Sequence, residues 1–227
     1  MPFATRRRRR DERCARVLEY VRWGLPVCRA SYPAGNRCSC QRLGCIRPGA
    51  HPVSPDWGRE ATCDPARIEA WLRADARLNF ASPTGVVHDV LEVPAATGIL
   101  ALTWLDASPT PAGPVASAGG SYLFFTATRG LPVDEAEWWP CDIDYRPGRS
   151  GPEPHDEHSG PRWHSRGSYV LIPPSVRVCG RRVRWVRTPD RHLPDPLRVL
   201  DLIVDAQRVV RAGERARHFP VRLSVPA

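Results

Sequence analysis

A chain of 227 residues with eight cysteines, 42% hydrophobic residues and a formal net charge of +9 suits one domain with a tail, long enough to bury a core without disulfide staples. All 33 basic residues are arginine, which excludes a P-loop lysine, a Schiff-base lysine, a lysyl-adenylate nucleophile and a kinase strand lysine. No stretch reaches the roughly 18 apolar residues of a membrane helix, and the arginine run at 6–10 leads into Asp11 and Glu12 rather than an apolar segment; the expectation is a cytoplasmic protein without membrane contact.

Residues 1–10 are expected to form a disordered basic arm, because five adjacent arginines repel one another and bury nothing. Residues 11–23 carry Cys14, Val17, Leu18 and Val21 at helical spacing, closed by Gly24. A strand over 25–29 and a structured loop over 30–62 follow. Asp64-Pro65 is a helix start, with a side-chain acceptor at the N-cap and Pro at the first helical position; Ile68, Trp71 and Leu72 form that helix's buried stripe. The β-branched run 86–93 predicts a strand. Residues 95–106 predict a helix with Leu100, Trp104 and Leu105 inward, and the Pro/Ala/Gly/Ser composition of 109–120 predicts a linker. Strands are expected at 121–126, 141–146 and 169–172, a short helix at 134–139, a polar insertion at 147–161 and a hairpin over 176–186. A last amphipathic helix over 197–210, capped by Asp195, belongs to a C-terminal segment 191–227, which leaves 11–190 as the folded domain. Strands alternate irregularly with helices, so the class is mixed α/β (α+β), a small sheet with helices on one face.

The cysteines are not evenly spread. Cys38, Cys40, Cys45 and His51 fall within fourteen residues, among the turn-formers Gly44, Pro48 and Gly49. Zinc takes four thiolate or imidazole ligands in a tetrahedron, and a loop supplies them when they lie close in sequence. The role is structural, pinning a long loop, because metal-binding free energy becomes folding free energy. Cys28 is a spare ligand, and free thiols or a disulfide between neighbours are the alternative. Cys14, Cys63, Cys141 and Cys179 stand alone and read as small buried hydrophobes.

The order of these pieces carries a resemblance: Gly24-Leu-Pro-Val27, the Cys/His loop ending Pro48-Gly-Ala-His-Pro52, Trp57, Ala61-Thr-Cys-Asp-Pro65, Asn79, Pro83-Thr-Gly85 before an acidic strand, then Val170-Leu-Ile-Pro-Pro-Ser175 and Trp185. Over roughly 15–190 the chain resembles the bifunctional DNA primase/polymerase (prim-pol) N-terminal domain family. The resemblance implies a small RRM-like primase-polymerase core with a zinc-stapled loop insertion. It also implies nucleotidyl transfer on single-stranded DNA by two divalent ions, Mg2+ or Mn2+. Two such ions stabilise the attacking and leaving oxygens and need carboxylates on one face.

Glu92 aligns with the family's first acid, while the second acid's position falls on Pro94. Asp89 lies three residues from Glu92, on the other face of a regular strand unless a bulge intervenes. Asp142 and Asp144, spaced i, i+2, are candidates for the remaining acid. Tyr122 stands where the family has a histidine in its glycine-rich turn; with Ser121 and His164 it is a candidate for the nucleotide. Arg182 and Arg184 share one strand face, and Arg166 lies in the run Arg162-Trp163-His164-Ser165-Arg166, whose aromatic among cations suits stacking on single strands. His155 and His158 read as loop residues. Two functions follow: a DNA primase/polymerase domain binding single-stranded DNA and nucleotides, with any helicase on a separate chain, or a catalytically inactive zinc-containing nucleic-acid-binding or regulatory module.

Overall fold

The structure is a computed structural model and describes residues 2–35, 37–45, 47–109, 112–129, 160–189 and 192–218. The expected helix at 134–139, the strand at 141–146 with Cys141, Asp142 and Asp144, and His155 and His158 lie outside the described residues.

The chain opens with helix α1 (Pro2–Arg22), then strand β1 (Cys28–Ala30) and a two-stranded hairpin, β2 (Pro33–Ala34) and β3 (Arg37–Cys38). A single helical turn, α2 (Trp57–Glu60), precedes α3 (Pro65–Ala74), β4 (Asn79–Pro83), β5 (His88–Pro94) and α4 (Ala95–Ala107). Next come β6 (Val115–Ala118), β7 (Ser121–Ala127), β8 (Arg162–His164), β9 (Tyr169–Leu171), β10 (Val183–Arg187) and α5 (Pro196–His218).

Besides the β2-β3 hairpin, the described residues form two antiparallel sheets. The larger runs β10-β6-β7-β5-β8 and the smaller β1-β4-β9. Strand alternation gives the larger sheet two different faces. Val90, Leu123, Phe125 and Val183 point into one core, shared with Val17, Tyr20 and Val21 of α1 and with the smaller sheet. Leu91, Val93 and Phe124 point into a second core, against Ala101 and Leu105 of α4 and Val199 and Ile203 of α5. The mixed α/β class holds, but helices cover both faces of the larger sheet rather than one, because each face is apolar and each needs a cover.

Local chemistry explains the element ends. The Asp64 side chain accepts from the Ala66 N–H at 2.9 Å, and the Asp195 side chain does the same for Leu197 at 2.9 Å and Arg198 at 3.1 Å, so both expected caps form. The Pro-Pro-Ser turn after β9 is tied to β4, where Ser175 Oγ accepts from the Phe80 N–H and donates to the Phe80 carbonyl. Asn79, fully buried, donates to the carbonyls of Ser31, Gly49 and Val176 and accepts from the Val176 N–H. That one side chain joins β4 to the cysteine loop and to the segment after the turn.

Three expectations change. The arginine run is helical rather than a disordered arm, because Arg8 and Glu12 pair at i, i+4 at 3.0 Å and Asp11 lies beside Arg7 and Arg10. The stretch read as a linker contains β6, whose small residues fit between two strands. The expected hairpin over 176–186 is a 3₁₀ turn at Val178–Gly180 leading into a single strand, with only Val176 and Arg182 bridged across it. Among the described residues, no helix is long and apolar enough to cross a membrane.

Candidate functional site

Glu92 sits on β5, an interior strand of the larger sheet between β7 and β8, on the face that also bears His164 of β8 and Ser121 of β7. The Ser121 hydroxyl donates to Glu92 Oε1 at 2.6 Å, and His164 Nε2 lies 3.0 Å from Oε2. The other ring nitrogen of His164 lies 3.0 Å from the Ser168 hydroxyl. Burial pushes the Glu92 carboxyl up. The hydrogen bond and charge of His164, the Ser121 hydroxyl and the Arg177 charge outweigh it and hold the group down at about 2. With Glu92 ionised, His164 Nε2 carries a proton and donates to it. Both carboxylate oxygens are engaged within the protein.

Among the described residues, the expected companion Asp89 lies away from Glu92. Register is continuous through β5, pairing His88 with Ala127 and Pro94 with Ser121, so no bulge rotates Asp89 to the Glu92 face. Asp89 lies on the α4–α5 side, 2% exposed, and accepts from the Trp163 indole at 3.0 Å. Burial pushes its carboxyl up, partly offset by that bond. Tyr122 also turns to the second core, where α4 approaches so closely that a Cβ on Gly98 would lie 2.5 Å from the Tyr122 Cβ. Of the candidates for the nucleotide, Ser121 and His164 meet Glu92 and Tyr122 does not. Across the ladder from Glu92 stands Arg162, and directly paired residues share a face. A cation therefore occupies the register position nearest Glu92 on β8.

Arg182 and Arg184 are both exposed, on either side of buried Val183 at the start of β10, with Arg184 opposite Ser117 of β6 and Arg182 near Arg13 of α1. Arg166 packs its backbone against Gly85. Trp163 is held by Asp89 and the second core, so it is not a free stacking platform. Arg177 was not singled out in the sequence; its position two residues after Ser175, whose turn is tied to β4, is the signal that places it.

The cysteine loop converges as expected. The ligand atoms of Cys38, Cys40, Cys45 and His51 all lie within 4.8 Å of one another and could hold a metal ion such as zinc. His51 Nε2 is 3.3 Å from the Cys38 sulfur and 3.4 Å from that of Cys45. Tetrahedral arms of 2.0–2.3 Å separate ligand atoms by roughly 3.3–3.8 Å, so this donor set fits zinc. His51 Nδ1 donates to the Pro52 carbonyl at 2.7 Å, which leaves the Nε2 lone pair facing the sulfurs. Burial works against ionising Cys38, but Ser31 and the N–H groups of Cys40 and Gly49 overcome it and draw the thiol down to about 6. Gly49, at φ +69°, closes the loop where any side chain would strike the Pro33 ring.

Cys28 is not a spare ligand: it is buried in β1, and burial drives its thiol up to about 12. Cys63 is exposed rather than buried. Cys14, Cys28, Cys38, Cys40, Cys45 and Cys63 are all free thiols.

The family model of the bifunctional DNA primase/polymerase, N-terminal domain, matches residues 17–199. No curated protein matches the chain.

Proposed function

With well over half of its length matched, the chain belongs to the bifunctional DNA primase/polymerase N-terminal domain family, and from that premise we propose that it is a zinc-stapled nucleic-acid-binding member whose sheet does not assemble a two-ion transfer centre. The observation that carries this reading is the environment of Glu92. Two divalent ions need several carboxylates converging on one face. Glu92 is instead bonded to His164 and Ser121 and faces Arg162 across the ladder, and Asp89 points to the opposite side. Among the described residues the donor set does not fit Mg2+ or Mn2+. The Cys38, Cys40, Cys45 and His51 set does fit zinc, which would brace the loop between β1 and α3.

A second reading keeps the family's chemistry, with Asp142 or Asp144 completing the site beside Glu92. It is favoured by the placement of Glu92 on β5, an interior strand of the larger sheet. Primer synthesis on a single-stranded template with Mn2+ or Mg2+ separates the two. The expected result is retained template binding without product. A product that disappears in Glu92→Ala would replace the first reading with the second.

A further inference from the structure

Helix α1 carries one continuous stripe that changes chemistry halfway. Arg9, Arg13, Val17 and Val21 follow one another at i+4, and Arg10, Arg13, Val17 and Tyr20 at i+3 or i+4, so all lie on one face. Val17, Tyr20 and Val21 of that face are buried in the first core. Toward the N-terminus the same inward face becomes arginine. Arg9 is exposed and Arg10 half-buried.

Arg13 is the junction. Its guanidinium donates to the carbonyls of Pro174 at 3.1 Å and Leu78 at 2.6 Å, both neutral acceptors. The Pro174 contact brings the segment leading to Arg182 beside the helix. Arg182 and Arg16 are both exposed, and both bear on Arg13 as like charges. Burial first, and then Arg182, lowers the Arg13 pKa, with Asp75 the opposing charge. The opposite flank of α1 is self-neutralised, with Arg8 on Glu12 and Arg7 near Asp11. Asp11 also accepts from Arg10 at 3.0 Å, which leaves Arg9, Arg13 and Arg16 of the helix without a carboxylate bonded to them among the described residues.

We propose that the arginine half of this stripe and Arg182 form a basic notch that grips the phosphate backbone of a nucleic acid. The inference deepens the nucleic-acid-binding reading above and rests on it. The occupant follows from chemistry: guanidinium groups match phosphate bidentately, and an anion seated here relieves the like-charge crowding of Arg16 and Arg182 on Arg13, which Asp75 opposes only in part. Arg9 to Arg16 spans about 10 Å at 1.5 Å per residue, the axial length of about three phosphates along one strand. No base is addressed, so binding is insensitive to sequence and steeply dependent on salt.

The test measures affinity of the full chain for a 20-nucleotide single strand across a salt series. Wild type is compared with Arg9→Glu/Arg182→Glu and with a control of equal charge change, Arg198→Glu/Arg208→Glu, on the far side of the larger sheet. The expected result is at least a tenfold loss for the first double variant, with the slope of log K against log salt smaller by about two. The control should stay within about twofold of wild type, and circular dichroism should show all three equally folded. A notch variant that binds with wild-type affinity and slope, or a control that loses as much, overturns the notch while leaving the binding reading in place. A wild-type chain with no salt-dependent affinity overturns both.

Discussion

His88 is fully buried on β5 with neither ring nitrogen hydrogen-bonded, packed against Phe125 at 5.3 Å between ring centroids. Burial alone lowers its pKa to about 4. The unfolded chain therefore binds a proton near pH 6.5 that the folded chain refuses until about pH 4. Stability falls as pH drops through that window and levels off below it, by up to about 3 kcal/mol. Glu92 works in a lower window. Its carboxyl is held at about 2, so its contribution is present above about 4.5 and lost as pH falls toward 2. Replacing His88 by Leu removes the first window without stranding a hydrogen-bond partner. Urea unfolding of His88→Leu should show a nearly flat stability between pH 6.5 and 4.5 where wild type declines. Parallel declines would mean that the acid sensitivity resides elsewhere.

At the scale of elements, the cysteine loop is held by more than its own four side chains. Asn79 makes four hydrogen bonds from β4, two of them to the Ser31 and Gly49 carbonyls that frame the loop. Asn79→Ala strands those buried partners, and the loss should be about 2–4 kcal/mol, read as a lowered urea midpoint with an unchanged m-value. A loss below about 1 kcal/mol would show that water replaces the side chain and that the loop does not depend on it.

Local signals were the legible ones. The Cys38–His51 cluster needs only near neighbours, and the caps at Asp64 and Asp195 act within three residues, so sequence spacing carries them. Strand alternation likewise put Asp89 and Glu92 on opposite faces, because a period of two needs no partner to be read. What escaped depended on distant packing. β6 is Val-Ala-Ser-Ala between Pro114 and Gly119 and has the composition of a linker; it becomes a strand only because β7 and β10 flank it. The role of Asn79 arises from Ser31, Gly49 and Val176, far away along the chain. His164 could be named as a site residue, but its bond to Glu92 required the pairing of β8 with β5 across a long sequence gap.

Across the whole molecule, the larger sheet is a partition with a differently built core on each side. The α4–α5 side is largely apolar packing, in which the Thr97 hydroxyl donates to Gln207 Oε1 at 2.7 Å and Asp89 accepts from the Trp163 indole at 3.0 Å. The other side includes the smaller sheet and, through Asn79, the loop of Cys38, Cys40, Cys45 and His51. Metal bound at that loop stabilises the elements it is tied to before it stabilises those behind the sheet. Purified protein should contain about one zinc per chain, with less in Cys45→Ala. After chelation, amide exchange should accelerate first over residues 28–52 and 79–83, while 95–107 and 196–210 keep their protection. The order follows from connectivity: the Ser31 and Gly49 carbonyls lose their fixed geometry when the loop opens, and Asn79 then loses its acceptors, whereas the pair Thr97 and Gln207 has no path to the loop except through the sheet. Equal acceleration on both sides would show a single cooperative unit. A chain without zinc and with an unchanged exchange pattern would show that hydrogen bonds alone close the loop.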